Sequence, residues 1–194
     1  MPAALTGRRE AKCGACLRKP PPLDRTIAAL DYGFPWDGLL QHYKFHQAIE
    51  LRETLLERLN QALSIANAEA PDWLLPVPLT PARQRERGYN QSYELARTLA
   101  RHRKLSCDPD LLLRVRNSAQ QAQLPLHERA ANVRRAFAVN PARASELRGS
   151  HVVLLDDVMT SGATLFEVAG VLRNAGAANV QAWVVARTPA PADT

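Results

Sequence analysis

Two adjacent carboxylates, Asp156 and Asp157, close a run of branched apolar residues and precede a turn rich in hydroxyls and small side chains. The stretch reads Val152-Val153-Leu154-Leu155-Asp156-Asp157-Val158-Met159-Thr160-Ser161-Gly162-Ala163-Thr164. Carboxylates accept hydrogen bonds from sugar hydroxyls and help to place a magnesium ion. The turn offers the hydroxyls of Thr160, Ser161 and Thr164. Its Gly162 and Ala163 keep the backbone N–H groups open to an anion, and the bare Gly162 lets the backbone approach a phosphate. The chemistry is that of a sugar phosphate held by its hydroxyls at one end and its phosphate at the other. A plain reading, in which the two aspartates only cap the next turn, leaves the following Thr-Ser-Gly-Ala-Thr unexplained.

Two further stretches carry candidate chemistry. Thr80 to Tyr89 (TPARQRERGY) is dense in arginine directly after an apolar segment. Guanidinium forks match phosphate oxygens, so Arg83 and Arg87 suit a pyrophosphate, although a solvated charge cluster has the same composition. Cys13-Gly14-Ala15-Cys16 has the spacing of half a four-cysteine zinc site. Two more ligands are needed and no second CxxC exists; His42 and His46, four apart, are the alternative partners, across a longer gap than small zinc fingers use. Zinc at Cys13 and Cys16 is therefore doubtful. Cys107 reads as a lone, partly buried thiol.

The elements that must position these groups alternate. Val152 to Leu155 has no polar alternation, as a central strand of a parallel sheet requires, and Leu165, Val168, Ala169 and Leu172 follow at helical spacing. Arg25 to Phe34 is a predicted strand, and residues 35–66 one or two helices whose apolar face is Leu39, Leu40, Tyr43, Ile49, Leu51, Leu55, Leu56, Leu59 and Leu63. Asp72 to Leu79 is a strand stopped by its prolines, followed by a loop over Thr80 to Tyr89 and a helix over Asn90 to Arg103. Leu105 to Val115 is a strand, Arg116 to Pro125 a polar mobile loop, Leu126 to Phe137 a helix, and Ala178 to Arg187 the last strand. The pattern predicts an α/β fold with a mostly parallel central sheet and helices on both faces. Residues 1–24 form a short cysteine-containing arm with a stiff Pro20-Pro21-Pro22 linker, 25–187 the main domain, and 188–194 a frayed tail.

Size and composition agree with one domain and an appendage: 194 residues, 46% hydrophobic, with a formal charge of +6. That charge favours anionic partners, which phosphates on a small substrate satisfy as well as nucleic acid does. No apolar run is long enough to cross a bilayer and no leader is read, so no membrane insertion is expected. Three cysteines do not make a disulfide framework, and a reducing cytoplasm is the expected compartment.

The stretch around Asp156 resembles the phosphoribosyl pyrophosphate (PRPP) motif of type I phosphoribosyltransferases: branched residues, two acids, then a T-x-G-x-T variant, matched through Thr164. Four segments narrow the resemblance to the ComF/GntX-like proteins, bacterial phosphoribosyltransferase-like proteins linked to competence. They are CGACLRKPPPLD, the Lys44-Phe45 helix, PVPLTPARQRERGYNQ, and QAQLPLHERAANVRRAF ahead of LLDDVMTSGATL. The departure is at the front, where that family carries two CxxC pairs and this sequence has one.

The resemblance implies a type I phosphoribosyltransferase-like fold, PRPP as ligand, and Mg2+ to neutralise the leaving pyrophosphate. It places the ribose on Asp156 and Asp157, and the 5-phosphate on Thr160, Ser161, Gly162, Ala163 and Thr164. Arg83 and Arg87 face the pyrophosphate, and Arg114 to Gln123, with Arg114, Arg116 and Gln121, form the flexible loop. It also implies a link to incoming single-stranded DNA during DNA uptake, for which Arg97, Arg101, Arg103 and Lys104 form a candidate basic track. Two classes stay open: an enzyme transferring phosphoribose to an unidentified nitrogen nucleophile, and a non-catalytic accessory protein binding PRPP or single strands. The acceptor and the oligomeric state stay open in both.

Overall fold

A computed structural model describes residues 17–18, 20–45, 48, 50–116 and 133–189. In chain order the elements are β1 (Arg25–Asp31), α1 (Trp36–Phe45), α2 (Leu51–Ile65), β2 (Trp73–Pro76), α3 (Pro81–Arg87) and α4 (Gln91–Arg103). Then come β3 (Leu112–Arg114), β4 (Phe137–Val139), a 3-10 helix (Pro141–Leu147), β5 (His151–Met159), α5 (Ala163–Asn174) and β6 (Asn179–Arg187). Four strands form one parallel sheet in the order β1-β6-β5-β2. β3 and β4 make a separate antiparallel pair.

Side-chain alternation splits the sheet's apolar residues between two cores. Leu75, Val152, Leu154, Ala182 and Val184 pack with Leu165, Val168, Ala169 and Leu172 of α5 and with Leu112 and Phe137. Leu74, Val153, Leu155, Trp183 and Val185 pack on the other face with Leu40 and Tyr43 of α1, the leucines of α2, and Leu95 and Leu99 of α4. Val152, Val153, Leu154 and Leu155 are all fully buried. At roughly 1.5–3 kcal/mol per buried side chain, β5 anchors both faces at once. The α/β architecture with helices on both faces is the one expected. Among the described residues, no helix is long and apolar enough to cross a membrane.

Three segments differ from expectation. Thr80 to Tyr89 is not a loop: Pro81–Arg87 is helical, with the Thr80 hydroxyl accepting from Arg83 N at 3.2 Å and Gly88 closing the end at φ 79°. The strand expected over Leu105 to Val115 shrinks to β3, because Asp108 Oδ1 accepts from the N–H groups of Asp110 (2.8 Å) and Leu111 (2.9 Å) and turns the chain. The helix expected over Leu126 to Phe137 falls mostly on residues 117–132, outside the described residues. Its last residue, Phe137, opens β4 instead, because Arg135 adopts φ 55°, where a right-handed helix cannot continue.

The helix that follows the arginines is held by one side chain. Asn90 Oδ1 accepts from Ser92 N (3.0 Å) and Tyr93 N (3.4 Å), while Asn90 Nδ2 donates to Val77 O at 3.1 Å. Asn90→Ala is expected to cost about 1–2 kcal/mol in urea unfolding. Asn90→Asp should recover the cap but not the bond to the Val77 carbonyl, so it falls between the two. Equal stability of all three proteins would remove Asn90 as the clamp.

Candidate active site

The helices that follow β2 and β5 leave the sheet on opposite faces, α4 to one side and α5 to the other. Because β2 and β5 are neighbours, a crevice opens beyond their carboxyl ends, the usual ligand position in an open parallel sheet. A cavity of about 440 Å³ lies there, lined by Asp156 and Asp157, by Thr160 through Leu165, by Arg83, Glu86 and Arg87 of α3, and by Arg114. Tyr32, Gln41, Lys44, Gln91 and Ser92 also line it.

The two carboxylates are not equivalent. Asp157 is buried and its Oδ1 lies 3.1 Å from Lys44 Nζ. Asp156 Oδ1 accepts from Ser92 Oγ and from Asp157 N, both at 2.9 Å. Burial, followed by repulsion from Asp157, pushes the Asp156 carboxyl up to about 7, against the opposing pull of Lys44 and Ser92.

The loop after β5 delivers α5 to the cavity N-terminal end first: Gly162 offers no side-chain cap, while Ser161 Oγ accepts from Ala163 N at 3.4 Å. Such an end attracts anions. Gly162 is constrained by the backbone as well as by its place on the cavity. It has φ 79°, a conformation that strains any residue with a Cβ, and a Cβ there would lie 2.7 Å from both Met159 Cε and Phe166 Cζ, so those side chains would have to shift.

The arginines face one another. Burial and then the neighbouring Arg87 lower the Arg83 guanidinium below its usual range, while burial and then Arg83 bring Arg114 down to about 10. Arg87 Nη1 donates to Gln91 Oε1 at 3.1 Å, and the Arg114 guanidinium lies 5.1 Å from the Phe137 ring centroid. Like charges held together in a half-buried wall suit a polyanion. Arg114, expected at the start of the mobile loop, is the last residue of β3. Arg116 is exposed and does not line the cavity, and Gln121, Cys13 and Cys16 lie outside the described residues.

Among the described residues no cluster of three His, Cys, Asp or Glu side chains stands ready to cage a metal. A Mg2+ ion fits this cavity as one that takes water and phosphate oxygens as its main ligands beside the acid pair, of which Asp157 is already engaged by Lys44. Lys44 and Gln91 enter the sequence reading only inside resembling segments, with no role attached, and Ser92 not at all, because each comes from a helix whose periodicity reads only as packing. Ser92 and Gln91 follow the Asn90 cap directly, and their polarity at inward positions of α4 is the signal that marks them.

Residues 87–193 match the phosphoribosyl transferase domain family. The DNA utilization protein YhgH of Escherichia coli (strain K12) is 36% identical over 181 residues, covering 91% of this chain and 78% of that protein. Competence protein F of Haemophilus influenzae is 32% identical over 179 residues, covering 90% and 78%. Among solved structures, the glutamine PRPP amidotransferase of B. subtilis, complexed with ADP and GMP, aligns with a TM-score of 0.46 at 22% identity. The alignment covers 71% of this chain but only 26% of that longer one.

The raised Asp156 carboxyl has a consequence for stability. Between about pH 4, where an unfolded aspartate ionises, and the folded value near 7, the native state holds a proton that the unfolded chain has lost. Stability of the ligand-free protein therefore falls as pH rises through that window. Asp156→Asn keeps an oxygen to accept from Ser92 and removes the charge. It should be more stable than wild type at pH 8, by roughly 1–4 kcal/mol, with the difference closing towards pH 4. Parallel urea-unfolding profiles of the two proteins across this range would show that the carboxyl is not perturbed.

Proposed function

The chain belongs to the phosphoribosyl transferase domain family, together with the competence-protein F and DNA-utilization relatives, and from that premise we propose that it binds PRPP with Mg2+ and transfers the phosphoribosyl group to a nitrogen nucleophile. The observation that carries the proposal is the convergence on one cavity of an acid pair, a helix N-terminus and an arginine wall. Asp156 and Asp157 accept hydrogen bonds from the ribose hydroxyls, Thr160 through Thr164 and the end of α5 hold the 5-phosphate, and Arg83, Arg87 and Arg114 hold the pyrophosphate. Bound Mg2+ supplies neutralisation of the developing pyrophosphate charge.

In the reaction the bond from C1 to the pyrophosphate oxygen breaks with its electron pair leaving on oxygen. The nitrogen lone pair forms the new bond to C1, and the nitrogen's proton passes to the released pyrophosphate. The chain's part is to orient the sugar and to place positive charge where the leaving group gains negative charge. An oxocarbenium-like sugar carries positive charge at C1, and the acid pair nearby favours it.

PRPP with Mg2+ at a hundredfold excess over its dissociation constant should stabilise wild type by about 3 kcal/mol, read as a rise in Tm. Asp156→Asn should reduce the rise. Arg83→Ala with Arg87→Ala should reduce it for PRPP while leaving the effect of ribose 5-phosphate nearly unchanged. Incubation with PRPP, Mg2+ and a mixture of bases should release pyrophosphate. A wild-type Tm indifferent to PRPP would end the proposal.

A second reading follows from the relatives' names: a role in DNA handling in which the same fold binds single strands. The basic track anticipated for it is partly committed elsewhere. Arg97 pairs with Glu94 at 2.8 Å, and Arg103 donates to Asn60 Oδ1 at 2.7 Å and to Asn60 O at 3.2 Å. Arg101 and Lys104 are exposed at the end of α4. If they contact phosphates, single-strand affinity should fall with salt at a slope of about −0.7 per phosphate. Arg101→Ala with Lys104→Ala should then flatten that slope. Binding insensitive to both salt and substitution would exclude the track.

A further inference from the structure

Lys44 stands where the cavity's acid pair meets α1, and the structure fixes it there from behind. A helix's last carbonyls have no partner within the helix. In α1 they are taken by side chains from the α3–α4 junction: Tyr89 Oη donates to Tyr43 O, and Gln91 Nε2 donates to Lys44 O at 3.1 Å. Tyr43, fully buried, donates its own hydroxyl to Gln91 O at 3.3 Å. The lysine stem therefore starts from an immobilised point, which removes part of the entropy lost when its long side chain is ordered. Its ammonium reaches Asp157 Oδ1 at 3.1 Å, with the lysine side chain 21% exposed and that of Asp157 10%.

An ammonium has three N–H donors, and one bond to Asp157 leaves donors for hydroxyl oxygens placed beside that carboxylate. A divalent ion bound to ribose hydroxyls and an acid does the same work, bridging an anionic carboxylate and neutral oxygens. To occupy that place it must compete with the attached ammonium. It must also enter a cavity that already carries Lys44, Arg83, Arg87 and Arg114 against Glu86 and the two aspartates. Among the described residues no cluster of three His, Cys, Asp or Glu side chains assists it.

We infer that Lys44 is a resident cation for sugar recognition: it holds Asp157 and donates to the ribose hydroxyls in place of a divalent ion, so that Mg2+ is needed only at the pyrophosphate. The inference rests on the phosphoribosyl reading above and adds a division of labour to it. Lys44 positions, and the metal serves the leaving group.

The test uses two ligands that differ in the pyrophosphate. Ribose 5-phosphate and PRPP are titrated calorimetrically into the full chain, each in EDTA and in Mg2+. Ribose 5-phosphate should bind wild type within twofold in the two conditions, while PRPP should tighten at least tenfold with Mg2+. Lys44→Met should weaken ribose 5-phosphate at least tenfold in EDTA, with part of the loss restored by Mg2+. Lys44→Arg, which keeps a donor and the charge, should stay within about threefold of wild type. Melting of the ligand-free variants shows whether they are folded, and should Lys44→Met not fold, the wild-type comparison and Lys44→Arg decide. Ribose 5-phosphate binding that needs Mg2+ in wild type, or that survives Lys44→Met unchanged in EDTA, overturns the inference. It is overturned alone if PRPP still binds with Mg2+. If neither ligand binds in either condition, the phosphoribosyl reading falls with it.

Discussion

Two successive carboxylates in the carboxyl-terminal half of the buried strand β5 are the feature around which the other elements are arranged. An ionised carboxylate taken out of water is costly unless it is paired or hydrogen-bonded. Asp157 is met by Lys44 from α1, and Asp156 by Ser92 from α4 and by the backbone N–H of its own neighbour. Arg114, from β3, exerts a further pull on Asp156. None of these elements is close to Asp156 in sequence. Each must be packed before the acids are compensated, so the site exists only in the assembled fold.

The compensation is incomplete. Asp156 keeps a raised carboxyl value, and Arg83 and Arg114 keep lowered ones. Charges of each sign are clustered, acids at the end of β5 and arginines on α3 and β3, and each cluster repels itself. A core built for stability alone would separate or replace them. Their persistence is a cost that a ligand carrying hydroxyls at one end and phosphates at the other would offset. Electrostatic preorganisation has this form, in which the protein bears the unfavourable arrangement before the ligand arrives.

Much of this was legible in the sequence, for physical reasons that differ by element. β5 is readable because four consecutive apolar residues, bounded by two acids and a glycine turn, suit a short strand buried on both faces, and both cores contain them. α3 was also readable. Thr80 before Pro81, Gly88 after Arg87 and Asn90 before Gln91 are a cap, a first-turn proline, a left-handed stop and the next cap. Between those signals the arginines leave no apolar periodicity, which is why the segment reads as a loop. β3 and β4 were not readable, since three-residue strands carry too little pattern and are set by the Asp108 turn and by Arg135 at positive φ. Lys44 was visible only as part of a resembling segment. Its role depends on where α1 ends relative to β5, a tertiary relation that no local periodicity encodes.

Gln91 connects the two charge clusters. Its Oε1 accepts from Arg87, its Nε2 donates to the Lys44 carbonyl, and its backbone carbonyl accepts from Tyr43. The side chain is buried at 1% exposure, so both of its polar atoms are spent on these contacts. A movement of α3 that followed an anion at Arg87 would reach, through one amide group, the end of the helix that carries Lys44. Glutamine suits this position because it offers an acceptor and a donor without a charge. Glutamate would lose the donor to the Lys44 carbonyl, and leucine would leave Arg87 and that carbonyl each without this partner. The arginine side and the acid side of the cavity are thus joined by a neutral link, which holds both sets of charges in register without cancelling either.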